Sequence, residues 1–236
     1  MAGVLGREAR CDGARVAGVV ACLPRDERRN ADFEPRFGAE SVAEVTKMIG
    51  VQSRRHADAS TTTRDLCRVA GQRLLEGLGW SPDSVDAVIF VSQTPDHVLP
   101  STAFLLHADW GLPAGCIVFD VNLGCSAYPH ALWLGMSMIA AGTARRVLLA
   151  VGDTVNRVVD PQDRATALLF GDAGTVTALE ADPSASAAFV LGADGRGAHH
   201  LIASPAHHKN PEHTSGGKQP LLARGEHLTE REKECI

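Results

Sequence analysis

The chain has 236 residues, 44% of them hydrophobic, enough for a substantial core in one large domain or two modest ones. Its formal net charge of −5, with no basic cluster interleaved with aromatics, excludes a general nucleic-acid binder. Six cysteines, at 11, 22, 67, 116, 125 and 235, form no CxxC pair and no metal-ligand spacing, so they read as reduced thiols of a cytoplasmic protein without a metal site.

The opening MAGVLGREARCDGARVAGVVACLP carries charges inside its apolar portion and reads as neither a signal peptide nor a membrane span. Within it, Val16–Cys22 is strand-like and Pro24 stops it. Arg25–Phe37 is charged and loop-like. Ser41–Ile49 reads as a short helix, with Ser41 and Glu44 as a capping box and Gly50 as its end. Thr61–Leu78 is a longer amphipathic helix with Leu66, Val69, Ala70, Leu74 and Leu78 on one face, closed by Gly79. Val85–Ser92 is a near-continuous apolar run, the pattern of a strand covered on both faces. A loop, TPDHVLP, then leads to a helix over Ser101–Trp110.

The stretch from Cys116 to Met138 carries the chemistry. Cys116–Val121 is an apolar strand, and Asn122, Leu123 and Gly124 make a tight turn. From Cys125 onward, Tyr128, Leu132, Trp133 and Met136 recur at helical spacing. This places Cys125 in the first turn of a buried helix, where backbone N–H groups and the helix dipole favour a thiolate. Such a strand–turn–helix elbow suits a nucleophile in acyl transfer, although a lone cysteine at a helix start is more often a small core residue.

Arg146–Val151 is a further buried strand, Asp160–Arg164 a turn, and Thr166–Phe170 and Gly174–Glu180 strand-like runs on either side of Gly171-Asp172-Ala173-Gly174. Ala181–Ser186 reads as a turn, with further strands over Phe189–Gly197 and Leu201–Ile202. Alternating helices and buried strands give an α/β fold. About the last thirty residues lack apolar periodicity and read as loop or disorder.

The segments VSQTPDHVLPST, FDVNLGCSAYPHALWLGMSMI, RRVLLAVGDT, DPQDR and FGDAGTVTALE resemble the 3-oxoacyl-acyl-carrier-protein synthase III family of the thiolase superfamily. The resemblance runs from about Val16 to about Ser204. It implies a thiolase-like layered α/β fold and a homodimer of chains with two related halves. The implied activity is an acyltransferase of fatty acid or polyketide biosynthesis: a cysteine takes an acyl group from a thioester, and a malonyl-carrier thioester then loses CO2 and condenses with it. Acyl-CoA and acyl carrier protein are the implied partners, as substrates, and no cofactor is implied.

By position, the resemblance makes Cys125 the acylated nucleophile, its own N–H supplying part of an oxyanion hole. Arg164 matches an arginine beside the coenzyme A adenine, Phe170 an acyl-pocket wall, and Leu99 a bulky residue closing the partner's acyl pocket across the dimer. An exposed surface arginine, a core phenylalanine and a loop anchor are the plainer alternatives. The GDAG segment reads as a structural turn, because a strand rather than a helix follows it.

Departures from the family pattern bear on function. A tryptophan and an arginine of members primed by coenzyme A are Glu44 and Met48 here, which disfavours a simple acetyl-CoA primer. The family's histidine and asparagine come from the second half of the fold, and SGGKQPLLARGEHLTEREKECI does not resemble it. The expectation is therefore a C-terminally shortened chain: residues 1–185 a complete N-terminal half, 186–215 a linker and the start of the second half, 216–236 an atypical disordered tail. His130, turned about 140° from Cys125 around a helix, does not substitute as a base. The histidines at 199, 200, 207, 208 and 213 are read as solvated rather than metal-binding. Two further readings are acyl transfer from the cysteine to oxygen or nitrogen, and a non-catalytic half-fold that only pairs.

Overall fold

The computed structural model describes residues 6–197. They form one compact unit up to Ala193, and a second begins at Asp194, of which only a 3-10 turn at Gly195–Gly197 is described. The first unit is built on a mixed five-stranded sheet of order β1-β7-β6-β4-β5. Strands β4 (Ala87–Val91), β5 (Ile117–Val121) and β6 (Arg146–Asp153) are mutually parallel, whereas β7 (Ala173–Leu191) runs antiparallel to β6 and to the edge strand β1 (Arg7–Cys22).

All five residues of β4 are buried, as its unbroken apolar run implies. Period-two alternation divides the core into two layers. Val88 and Phe90, with Leu148, Ala150, Val176 and Ala178, pack under α3 (Thr63–Leu78) and α4 (Thr102–Asp109). Ala87, Ile89 and Val91, with Val147, Leu149 and Leu179, pack under α5 (Ala127–Ala140). The sheet is thus covered on both faces, and the α/β expectation holds.

Helix boundaries follow local chemistry. In α3, Thr62 is the N-cap: it accepts from the Asp65 N–H, and Asp65 accepts in return from the Thr62 N–H. Gly79, in the left-handed region at φ 64°, closes this helix. The capping box expected at Ser41 and Glu44 is absent, since α2 (Ala39–Ile49) starts two residues earlier after Gly38. Its end at Gly50 is as expected, with φ 74°.

The charged stretch expected as a loop over 25–37 is structured. It holds β2 (Asp26–Arg29), a 3-10 turn at Asn30–Phe33 and α1 (Glu34–Phe37), with β2 paired to β3 (Ser53–His56). The strand expected over 166–170 is instead a short helix, α6 (Arg164–Ala167), because Asp163 caps it by accepting from the Ala165 N–H at 3.0 Å.

The turn expected at 181–186 lies inside β7. Asp12 pairs with Ser186 and Ala14 with Ala181, so residues 182–185 oppose the single Gly13, at φ 86°, as a large bulge. The small residues there let the ladder break and resume. The tail and the late histidines, with the strand at 201–202, lie outside the described residues.

Candidate active site

The parallel strands β4, β5 and β6 all end at one edge of the sheet, and β7 starts there. This is the edge where open α/β sheets bind ligands. It gathers the loop from Ser92 to Ser101, the elbow from Asn122 to Ser126, the turn after Asp153 and the Phe170–Asp172 approach to β7.

Cys125 lies on the elbow, and its position corrects the sequence reading. Helix α5 begins at Ala127 with Ser126 as N-cap residue, so the thiol precedes the helix instead of occupying its first turn. The Ala127 N–H donates to the Gly124 carbonyl at 2.8 Å, and this tight turn pushes Cys125 outward. Cys125 is the only exposed cysteine among the described residues. Burial pushes the Cys67 thiol up to about 12 and the Cys116 thiol to about 11, leaving both as inert core groups. The core-residue alternative for Cys125 is thereby set aside.

The elbow sits on a helix apolar on nearly every side. Small residues of α5 face the sheet: Ala127, Ala131 and Gly135 are buried, and a Cβ at Gly135 would stand 2.7 Å from the Leu179 side chain. The face expected from Tyr128, Leu132, Trp133 and Met136 is therefore rotated. Met136 is buried, Leu132 and Trp133 are half-buried, and Tyr128 is partly exposed with its hydroxyl 3.1 Å from that of Thr177. His130 points its Nδ1 at the Ser126 carbonyl, 2.8 Å away, and so braces the elbow.

Beneath the loop ends lies a polar lattice that the sequence reading missed. One carboxylate oxygen of Asp153 accepts from the Ser92 hydroxyl (2.9 Å), the Gln93 N–H (2.7 Å), the Thr94 N–H (3.1 Å) and the Thr94 hydroxyl (3.1 Å). The Thr94 hydroxyl also accepts from the Thr154 N–H and meets that of Thr63, both at 2.9 Å. Asp172, 2% exposed, accepts from the Ala57 N–H and from the Asn156 backbone and side-chain amides. Buried polar groups need such partners. The lattice locks the ends of β4, β6 and β7 together around the elbow. The available signal was the run of hydroxyl and acidic residues just past apolar strands: Ser92, Thr94, Asp153 and Thr154.

The loop carrying Leu99 is anchored at Asp96, which sits 3.8 Å from Arg64 and whose carboxyl is pushed up by burial. Its N–H donates to the Thr102 hydroxyl at 3.3 Å. Past that anchor, Val98 and Leu99 stand 80% and 86% exposed, so Leu99 is no buried loop anchor. Phe170 is half-buried beside this edge and belongs to none of the apolar clusters among the described residues.

Arg164 begins α6, exposed, and donates to the Ser41 hydroxyl. Ser41, Glu44 and Met48 share one face of α2 by their spacing, so Arg164 meets the face that carries Glu44 and Met48. A second arginine fixes α6. Arg54, 5% exposed, donates to the Ala167 carbonyl (2.7 Å), the Leu168 carbonyl (2.9 Å) and the Asn30 side chain, its guanidinium 5.3 Å above the Phe33 ring. Desolvation, and then the nearby Arg28 charge, lower its pKa.

A cleft of about 890 Å³ lies between β2, the 3-10 turn after it, His56 and the Asn156–Pro161 segment. It is lined by none of Cys125, Leu99, Arg164 or Phe170. Among the described residues, no group of three or more His, Cys, Asp or Glu side chains could hold a metal, and no helix is long and apolar enough to cross a membrane.

The family described as 3-oxoacyl-[acyl-carrier-protein] synthase III matches residues 119–195 by its sequence profile, a span that includes Cys125. A Campylobacter jejuni protein named for 3-oxoacyl-[acyl-carrier-protein] synthase 3 is 32% identical over 192 residues, covering 79% of this chain and 54% of its own length. The structure of a 3-oxoacyl-(acyl-carrier protein) synthase from Burkholderia xenovorans is 60% identical, with a TM-score of 0.81 over 82% of this chain and 56% of that one. A β-ketoacyl-[acyl carrier protein] synthase III from Thermus thermophilus is 31% identical, with a TM-score of 0.74 over 84% and 62%. The chain spans about half the length of the relatives it matches. Over the part they cover, the matched profile and these relatives make the chain similar to the 3-oxoacyl-[acyl-carrier-protein] synthase III family.

Proposed function

We propose that this chain is an acyltransferase of the 3-oxoacyl-acyl-carrier-protein synthase III type, with Cys125 as the acylated nucleophile. The observation that carries the reading is the exposed Cys125 thiol on an outward-turned elbow at the ligand-binding edge of the sheet. In the first step the thiolate attacks the carbonyl of an acyl thioester, an S–C bond forms, and the donor's thiol leaves. In the second, a malonyl-carrier thioester loses CO2, its carbanion attacks the acyl carbon, and the Cys125 thiolate is released. Splitting the condensation in two lowers each barrier. The Cys125 N–H contributes to holding the tetrahedral oxyanion.

In this reading acyl-CoA and acyl carrier protein are substrates in fatty acid or polyketide assembly. Arg164 contacts the nucleotide end of a coenzyme A donor beside the Ser41 face of α2. Glu44 and the 77%-exposed Met48 on that face supply neither a stacking ring nor a phosphate partner, favouring a carrier-bound or unusual donor. Phe170 borders the acyl group. Val98, Leu99 and the 56%-exposed Phe104 form the apolar surface for a homodimer in the cytoplasm, Leu99 closing the partner's pocket.

Intact-protein mass after incubation with a panel of acyl-CoA and acyl-carrier thioesters tests the central claim. The expected result is an increment equal to one acyl group, absent in Cys125→Ala. A folded protein that takes no acyl group from any donor refutes it.

A further inference from the structure

Gln93 lies against the elbow, and the proposed mechanism leaves it without a task. Its backbone is immobilised, since its own N–H and both neighbouring residues are bound to one oxygen of Asp153. Its side chain is exposed, and among the described residues its carboxamide has no hydrogen-bond partner. The carboxamide nevertheless has a definite place. A Cβ added at Gly124 would stand 2.3 Å from its Oε1 and 2.9 Å from its Cδ, so the amide lies over the Gly124 backbone, one residue before Cys125. Glycine at 124 keeps that surface open.

A rigidly based amide with a free donor and a free acceptor, set over the residue that precedes the Cys125 nucleophile, is suited to reading a polar group on whatever the thiol carries. Leu99 and Phe170, the residues placed around the acyl group above, offer no side-chain hydrogen bond. We propose that Gln93 is a specificity-determining residue. It hydrogen-bonds an oxygen substituent near the carbonyl of the acyl group on Cys125, so that the chain favours hydroxylated short acyl groups over plain alkyl ones. This rests on the acyl-cysteine reading above, and its test separates the two.

The test uses two nearly isosteric thiol reagents, 2-hydroxyethyl and propyl methanethiosulfonate. The Cys125 thiolate attacks the sulfenyl sulfur of either one, an S–S bond forms and methanesulfinate leaves, so no enzymatic turnover is needed. The rate at Cys125 is read by peptide mass, and the hydroxyethyl-to-propyl ratio is compared between the wild-type chain, Gln93→Leu and Gln93→Glu. The expected ratio falls about threefold to tenfold in Gln93→Leu, the worth of one neutral hydrogen bond. Gln93→Glu, which keeps an acceptor, retains the preference. The same comparison with 3-hydroxybutyryl and butyryl thioesters should move in parallel. A hydroxyethyl-to-propyl ratio unchanged by Gln93→Leu overturns the proposal. Absence of acylation by every thioester refutes the acyl-cysteine reading instead, while the thiosulfonate ratio still decides the role of Gln93.

Discussion

Asp153 shows how a single side chain can set the geometry of a loop it does not belong to. Four donors from Ser92, Gln93 and Thr94 converge on one of its oxygens at the end of β6. Hydrogen bonds to a charged acceptor contribute about 1.5–3 kcal/mol each, though not additively, and stranding buried donors adds a desolvation cost. Asp153→Ala should therefore lose roughly 2 kcal/mol or more of unfolding free energy, and Asp153→Asn, which keeps one acceptor oxygen, less. Urea unfolding of the three proteins measures this. Equal stability of Asp153→Ala and the parent would mean that the lattice does not hold the loop.

Exposed positions at this edge were legible in the sequence where local chemistry stands out. Cys125 follows a tight small-residue turn, and Leu99 sits in a loop between two apolar elements. Asp153, Gln93 and Arg54 were not legible, because their roles depend on partners 60, 31 and 113 positions away in sequence, at Gln93, Gly124 and Ala167 respectively. The hydroxyl and acidic residues of VGDT and VSQT were the one local signal, and a solvated strand end carries the same pattern. The placement of Cys125 itself missed by a residue or two, since Ser126 and the Gly124 carbonyl close the turn before the helix can start.

At the scale of elements, the strands and long helices were readable because their periods are strong. The errors fell where short polar contacts decide the outcome: the Asp163 cap that turns 164–167 into a helix, and the bulge that keeps 173–191 one strand. The GDAG segment belongs here too. Its glycines serve packing: Gly174 pairs with Gly152 across β7 and β6, under the first turn of α3. A Cβ at 174 would lie 2.5 Å from the Leu66 Cβ and 2.8 Å from the Cys67 backbone nitrogen, neither of which can rotate away. Gly174→Ala should force α3 off the sheet, at about 1–3 kcal/mol as for other overpacked cores. Gly77→Ala, which meets nothing within 4 Å, is the control and should not destabilise. Thermal unfolding that ranks the two alike would contradict the close approach of α3 to β7.

For the whole molecule, the titratable groups whose pKa the fold shifts set the pH range over which the fold persists. Burial lowers the pKa of His56, with help from Arg28, below its ordinary 6.5, and its Nε2 is buried without a partner. Hydrogen bonds from Ser60 and Thr61 hold Asp58 down to about 2 from 3.8. On the alkaline side, burial raises Cys116 to about 11 and Cys67 to about 12 from 9.0. The signs follow from which state binds more protons. The unfolded chain protonates His56 first, so its contribution is intact above pH 6.5 and is lost as the pH falls through the folded-state value. The contribution of Asp58 is lost further down, between 3.8 and about 2. The unfolded chain deprotonates the two thiols first, so their contribution is intact below 9.0 and fades as the pH rises towards 12. Stability should therefore be flat between about pH 6.5 and 9 and fall on both flanks. Unfolding free energies from urea titrations between pH 5 and 10.5 read the profile. Cys67→Ala should flatten the alkaline flank, because a methyl group has no proton to lose when the chain unfolds. An alkaline limb as steep in Cys67→Ala as in the parent would mean that other groups, such as lysine ammoniums losing their charge, control that side of the curve.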